Sequence, residues 1–169
     1  MMIIVFGLPG SGKSYFASHL AHKINADYIN SDKLRRMMID KRTYTANEKL
    51  AVYDEMLKQA MEAGKKHTNI VLDATFYKHA IRKIFIDGVE NGAEIGFIEV
   101  RADESLIRER LKKTREYSEA DFDVYKKIKK EWEPLNERHL ILHSTDDNIS
   151  GMLQQAINYL HLQNDKEPN

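Results

Sequence analysis

A chain of 169 residues, 42% hydrophobic and 31% charged, has the size and make-up of a single globular domain, taken as residues 1–169. Lysine plus arginine equals aspartate plus glutamate at 26 each, so no global field draws the chain to nucleic acid or membrane, although a local basic cluster can suffice for a nucleic-acid substrate. The lack of cysteine excludes disulfides and thiolate metal sites.

Met2-Ile3-Ile4-Val5-Phe6 is apolar without alternation, as expected of a parallel strand covered on both faces. The apolar run is too short for a signal peptide or membrane span, so a cytoplasmic protein is expected. Gly7 to Gly12 break the pattern, and Tyr15, Phe16, His19, Leu20 and Lys23 then recur at helical spacing. Ala26 to Ile29 predicts a second strand ending at Asn30-Ser31-Asp32, and Lys33 to Ile39 a brief helix. From Thr45 the pattern is strongly helical, with Leu50, Tyr53, Leu57, Ala60 and Met61 on one face and Gly64 as its stop.

Thr68 to Leu72 predicts a third strand, ending at Asp73-Ala74-Thr75. Ile81, Ile84, Phe85 and Val89 mark the next helix, closed by a turn at Asn91-Gly92. Ile95 to Val100 predicts a fourth strand, and Asp103 should cap a charged helix with Leu106, Ile107 and Leu111 on its apolar side. The segment 112–134 is the most charged, and it predicts either a mobile helical lid over the site or a solvated helical hairpin. His139 to His143 predicts a fifth strand, and Ile149 to Leu160 a closing amphipathic helix. Strands alternating with helices predict a three-layer α/β/α sandwich around a five-stranded parallel sheet.

Gly7-Leu8-Pro9-Gly10-Ser11-Gly12-Lys13-Ser14 matches the Walker A pattern without a gap, between an apolar strand and a helix. Glycines allow successive N–H groups to form an anion nest, and the helix start adds its positive dipole end. The pattern implies ATP bound along Gly7 to Tyr15, Lys13 reaching the β- and γ-phosphates, and Ser14 ligating Mg2+.

Asp32 and Asp73 fall at predicted strand ends, where ligands bind in open parallel sheets. A kinase needs one carboxylate to deprotonate a hydroxyl, and often another near the metal. Asp32 could instead be a helix N-cap, a role open equally to Ser31. Arg35, three residues after Asp32, can face the same acceptor. Asp73 ends its strand like a Walker B aspartate, with Thr75 able to add a hydroxyl. Arg108, Arg110 and Arg115 lie near the lid; Glu104 can pair with Arg108, which leaves Arg110 and Arg115 to neutralise the transition state.

Together, the Gly7–Ser14 loop, Ser31-Asp32 with Arg35, and Val71-Leu72-Asp73-Ala74-Thr75-Phe76 resemble the P-loop kinases of the zeta-toxin and polynucleotide kinase group. The stretch from Arg110-Leu111 through Ser118-Glu119-Ala120 to Glu133-Pro134 is similar to their lid. The resemblance spans residues 2–145 and implies that Asp32 and Arg35 serve as general base and acceptor ligand, with Asp73 at the acceptor or metal shell. It does not transfer the substrate, because related folds serve many acceptors.

The expected activity is transfer of the γ-phosphate of MgATP to a hydroxyl of a small molecule or nucleotide, by a monomer or homodimer. A polynucleotide 5′-hydroxyl kinase is the alternative; Lys33, Arg35, Arg36, Lys41, Arg42, Lys78, Arg82 and Lys83 would have to build its basic groove. A nucleotide-binding switch or ATPase without acceptor is the third reading.

Overall fold

In the computed structural model, residues 1–89, 94–113 and 119–161 are described. In chain order the elements are β1 (Met2–Phe6), α1 (Lys13–Lys23), β2 (Asp27–Asn30), α2 (Ser31–Met38), α3 (Ala46–Lys65) and β3 (Ile70–Asp73). They continue as α4 (His79–Gly88), β4 (Ile95–Arg101), α5 (Glu104–Lys112), α6 (Phe122–Lys130), β5 (Leu140–His143) and α7 (Ile149–Tyr159). The strands form one five-stranded sheet in the order β2-β3-β1-β4-β5, with every pairing parallel.

Because side chains alternate along a strand, β1 divides its apolar run between two cores. Ile4 and Phe6 join Leu72, Phe76 and Phe85 under α3 and α4. Ile3 and Val5 join Phe16, Leu20, Ile98 and Met152 under α1 and α7. The central strand is thus buried on both faces, which is the reason its sequence is apolar throughout. Strands β2 and β3 are added on one side of β1 and β4 and β5 on the other, and this places β1 and β3 at the crevice where α/β sheets bind ligands.

Several expected boundaries shift. Helix α3 buries Val52, Tyr53, Met56, Ala60 and Ala63, whereas Leu50 and Met61 are 43% and 37% exposed. Apolar residues occupy more than one side of this helix, and packing of Tyr53 against Phe76 and Phe85 selects the buried one. The helix also passes through Gly64: the left-handed residue is His67 (φ 56°), and Thr68 N–H closes the end on Ala63 O at 3.0 Å. Asp103 stands at the start of α5 without a side-chain capping bond. The turn expected at Asn91-Gly92 lies outside the described residues.

The segment expected to be a mobile lid or a solvated hairpin contains α6, and its C-terminal half is tied to the body. Tyr125 is buried and donates to Glu104 at 3.2 Å, and Trp132 stacks on Phe6 with ring centroids 6.0 Å apart. Arg82, expected on a basic surface, is fully buried beneath this segment and donates to the carbonyls of Phe76, Glu133 and Pro134.

Candidate active site

The loop after β1 turns tightly because glycine alone tolerates its geometry. Gly7 lies where a Cβ would stand 2.3 Å from Val100 O, and Gly12 has φ 90°. Gly12 is also the N-cap of α1, with no side-chain capping bond and no acidic residue in the first turn. The first amides of α1 therefore face the crevice without a protein anion to satisfy them, which suits a phosphate.

A cavity of about 890 Å³ opens from these amides, lined by Gly10, Gly12, Lys13, Ser14 and Tyr15 on one side and by Arg110, Ser144 and Thr145 on the other. Gly7, Leu8 and Ser11 frame the loop from behind without lining the cavity. Tyr15 is 60% exposed and rests against His19, with ring centroids 4.2 Å apart.

Arg110 projects from α5 and is fixed by Ser144 Oγ at 2.7 Å, Thr145 O at 2.9 Å and Asp146 Oδ1 at 3.3 Å. Ser144 in turn donates to Ser11 O at 2.8 Å, so α5, the phosphate loop and the end of β5 are laced together. Arg110 thus lines the large cavity beside the phosphate loop, bonded to its neighbours. Arg115 lies outside the described residues. Arg108 pairs with Glu104 at 3.8 Å, as its spacing predicted.

Asp73 ends β3 with no exposed surface. Tyr28 donates to its Oδ2 at 2.8 Å, and Asn30 Nδ2 donates to the same oxygen. Its Oδ1 is buried with no partner. Burial pushes the carboxyl upward from the ordinary range, while the Lys13 charge and the bonds from Ser14, Asn30 and Tyr28 oppose that shift. An orphaned buried carboxylate oxygen beside the Ser14 hydroxyl fits a hard cation such as Mg2+, which prefers oxygen donors and takes one or two protein ligands. No group of three or more His, Asp or Glu side chains positioned for a metal occurs among the described residues.

Asn30 resolves the ambiguity over Asp32. Its Oδ1 accepts from Lys33 N–H at 2.9 Å, so Asn30 caps α2 and neither Ser31 nor Asp32 does. Asp32 is left free of the capping role and pairs with Arg35 Nη1 at 3.1 Å. Arg35 is 7% exposed and also lies 3.2 Å from Glu48 Oε1, a contact without hydrogen-bond alignment.

Glu48 itself accepts from Thr43 N–H at 2.7 Å, Thr43 Oγ1 at 3.0 Å and Tyr44 N–H at 3.0 Å. Those bonds, the Thr43 amide first, hold its carboxyl below the usual range. A second cavity, of about 380 Å³, is lined by Pro9, Asp32, Arg35, Tyr44, Asp73 and Thr75, and closed by α6. The two cavities share Lys13, Ser14, Asn30 and Asp32.

Tyr28, Asn30, Tyr44, Glu48 and Ser144 escaped the sequence reading. Asn30 and Ser144 could have been found by asking which polar residues follow strands. Glu48 carries no such signal, because it sits inside an amphipathic helix. Of the predicted basic groove, Arg82 is buried, and Arg35, Arg42, Lys78 and Lys83 all pair with carboxylates.

A glycine phosphate loop between a central parallel strand and a helix, with an aspartate buried on the adjacent strand, defines a P-loop NTPase domain. Residues 2–135 match the AAA domain family, and the chain belongs to it. No curated protein sequence matches the chain. Among solved structures it is similar to a sugar kinase from a Janibacter species, at 14% identity and TM-score 0.74, over 95% of this chain and 94% of that one. It is similar also to a gluconokinase from Sinorhizobium meliloti, at 17% identity and TM-score 0.72, over 95% and 91% of the two chains. A third is the Mycobacterium tuberculosis APS kinase, in complex with AMPPNP and APS, at 17% identity and TM-score 0.69 over 95% and 96%. At such identities the likeness establishes the fold. No helix among the described residues is long and apolar enough to cross a membrane.

Proposed function

We propose that this domain is an ATP-dependent phosphotransferase that moves the γ-phosphate of MgATP to a hydroxyl of a small acceptor. The observation that carries this is the junction of the two cavities at Lys13, Ser14, Asn30 and Asp32. A nucleotide in the larger cavity and a hydroxyl in the smaller would meet there, and positioning of that kind supplies much of the catalysis in phosphoryl transfer.

The loop amides and Lys13 bind the phosphates, and Lys13 is the cation directed at the γ-phosphate. Ser14 and Asp73 are the residues that would hold Mg2+, whose charge neutralises the β- and γ-phosphate oxygens when bound. Asp32 takes the proton from the acceptor hydroxyl as the new O–P bond forms. The bond from the γ-phosphorus to the β,γ-bridging oxygen breaks, and ADP leaves. Arg35, held between Asp32 and Glu48, orients the acceptor, and Thr75 faces it from β3's end. Arg110 serves as a wall for the nucleotide.

The sugar kinase, gluconokinase and APS kinase that share the fold support a small hydroxyl acceptor. The zeta-toxin and polynucleotide kinase likeness supports the Asp32–Arg35 pair as acceptor-side machinery. A polynucleotide acceptor fits less well, since most of its required cations are paired and the acceptor cavity is compact. A switch module would have no use for an acceptor cavity with a carboxylate at its mouth.

The test is ADP release over a panel of hydroxyl compounds and 5′-hydroxyl oligonucleotides. Asp32→Asn is expected to lower kcat by about 100- to 10,000-fold, the range for a lost general base, with nucleotide affinity within about twofold. Loss of nucleotide binding with catalysis intact at saturation would refute the role of Asp32.

A further inference from the structure

Four cations, Lys13, Arg35, Lys49 and Lys127, and four carboxylates, Asp32, Asp73, Glu119 and Glu131, line the smaller cavity. Its carboxylates are already engaged. Asp32 pairs with Arg35, and Glu119 takes Arg42 at 2.8 Å and the Tyr44 hydroxyl at 2.7 Å. Glu131 turns to Lys78 at 3.9 Å. Asp73 is held by Tyr28 and Asn30 beside Lys13.

Two of the lining cations have no such partner among the described residues. Lys49 projects from α3 and Lys127 from α6, and neither ammonium forms an ion pair among the described residues, although both line the cavity. Lys49 lies over the Tyr77 ring at 5.9 Å to the centroid, a contact that places its charge without neutralising it. Lys127 stands four residues before Glu131, the spacing at which a helical ion pair would form, yet Glu131 is directed to Lys78. The lining carboxylates are thus engaged by other groups, and these two ammonium groups remain available to a bound anion.

We infer that Lys49 and Lys127 form an anion subsite, so that the acceptor is a compact hydroxyl compound carrying a carboxylate or a phosphate monoester. This rests on the phosphotransfer reading above and specifies its substrate class. The cavity, at about 380 Å³, lies near the lower end of the ~300–1,000 Å³ usual for ligand pockets. The anion binds the two lysines while the hydroxyl turns to Asp32. Tyr53 and Tyr77 line the space between with aromatic surface. Carboxylate and phosphate make the same demand on two ammonium groups, since lysine acts as a point charge toward either.

Matched acceptor pairs separate the cases. An aldonic acid is set against its alditol, and a hydroxyalkyl phosphate monoester against the parent polyol, each with saturating MgATP. The anionic member of at least one pair is expected to show kcat/KM about tenfold or more above its neutral partner, the discrimination that one favourable charge contact supplies. The pair that responds identifies the anion. In Lys49→Met and Lys127→Met the ratio falls toward unity through a raised KM for the anionic member, and in Lys49→Arg and Lys127→Arg it is largely restored. Both side chains sit on helix surfaces, and thermal melting confirms that each variant is folded. Neutral members turned over as well as anionic ones, or a ratio unmoved in the double methionine variant, overturn the anion subsite and leave phosphotransfer standing. Nucleotide bound but no member turned over overturns both.

Discussion

Arg82→Met tests how the acceptor side is braced. The guanidinium is fully buried and makes three hydrogen bonds, to Phe76 O at 2.8 Å, Glu133 O at 2.8 Å and Pro134 O at 3.0 Å. Methionine keeps most of the apolar stem and removes all three. The bond to Phe76 O is buried, so its loss leaves a carbonyl that water cannot reach and costs about 1.5–3 kcal/mol. The bonds to Glu133 O and Pro134 O are partly exposed, and water replaces them at roughly 0.5–1 kcal/mol each.

Against this stands relief from burying a charge whose Nε has no partner, which returns about 1 kcal/mol. The net expectation is a loss of about 1.5–4 kcal/mol. With a urea m-value of about 2 kcal/mol/M, the unfolding midpoint falls by about 0.75–2 M. Because the three carbonyls join the segment after β3 to the segment after α6, acceptor KM should rise as well, with nucleotide affinity little changed. A midpoint shift under about 0.25 M would show that Arg82 does not brace these segments.

Glu48→Gln should change the acid limb of the stability curve. The Glu48 carboxyl is held low by the Thr43 amide, so it binds protons less readily folded than unfolded, and its contribution is present above the unfolded value near pH 4.3 and lost as pH falls below it. Acid unfolding followed by circular dichroism should begin at a higher pH in wild type than the glutamine variant's own baseline stability would predict; parallel curves would refute this. Gly12→Ala places a Cβ at φ 90° and 2.8 Å from Ser144 Oγ, so strain of about 1–3 kcal/mol is expected together with a nucleotide affinity reduced at least tenfold. Calorimetric titration that finds wild-type affinity would refute the geometry assigned to this loop.

The sequence by itself determined the sheet, the phosphate loop and the order of the elements. These rest on local signals: an unbroken apolar strand, glycines at positions that no other residue tolerates, and a helix directly after them. It also marked Asp32, Arg35 and Asp73, because strand ends in a parallel sheet are where ligands gather. Tertiary structure alone decided what each polar residue is paired with. Asn30 as Asp73 partner, Glu48 as a neighbour of Arg35, Arg110 as a cavity wall and Arg82 as a buried brace all depend on contacts between residues distant in the chain. So does the lack of an ion pair at Lys49 and Lys127 among the described residues, because a lysine's charge is legible in sequence, but the carboxylate that pairs with it, or fails to, is chosen by packing.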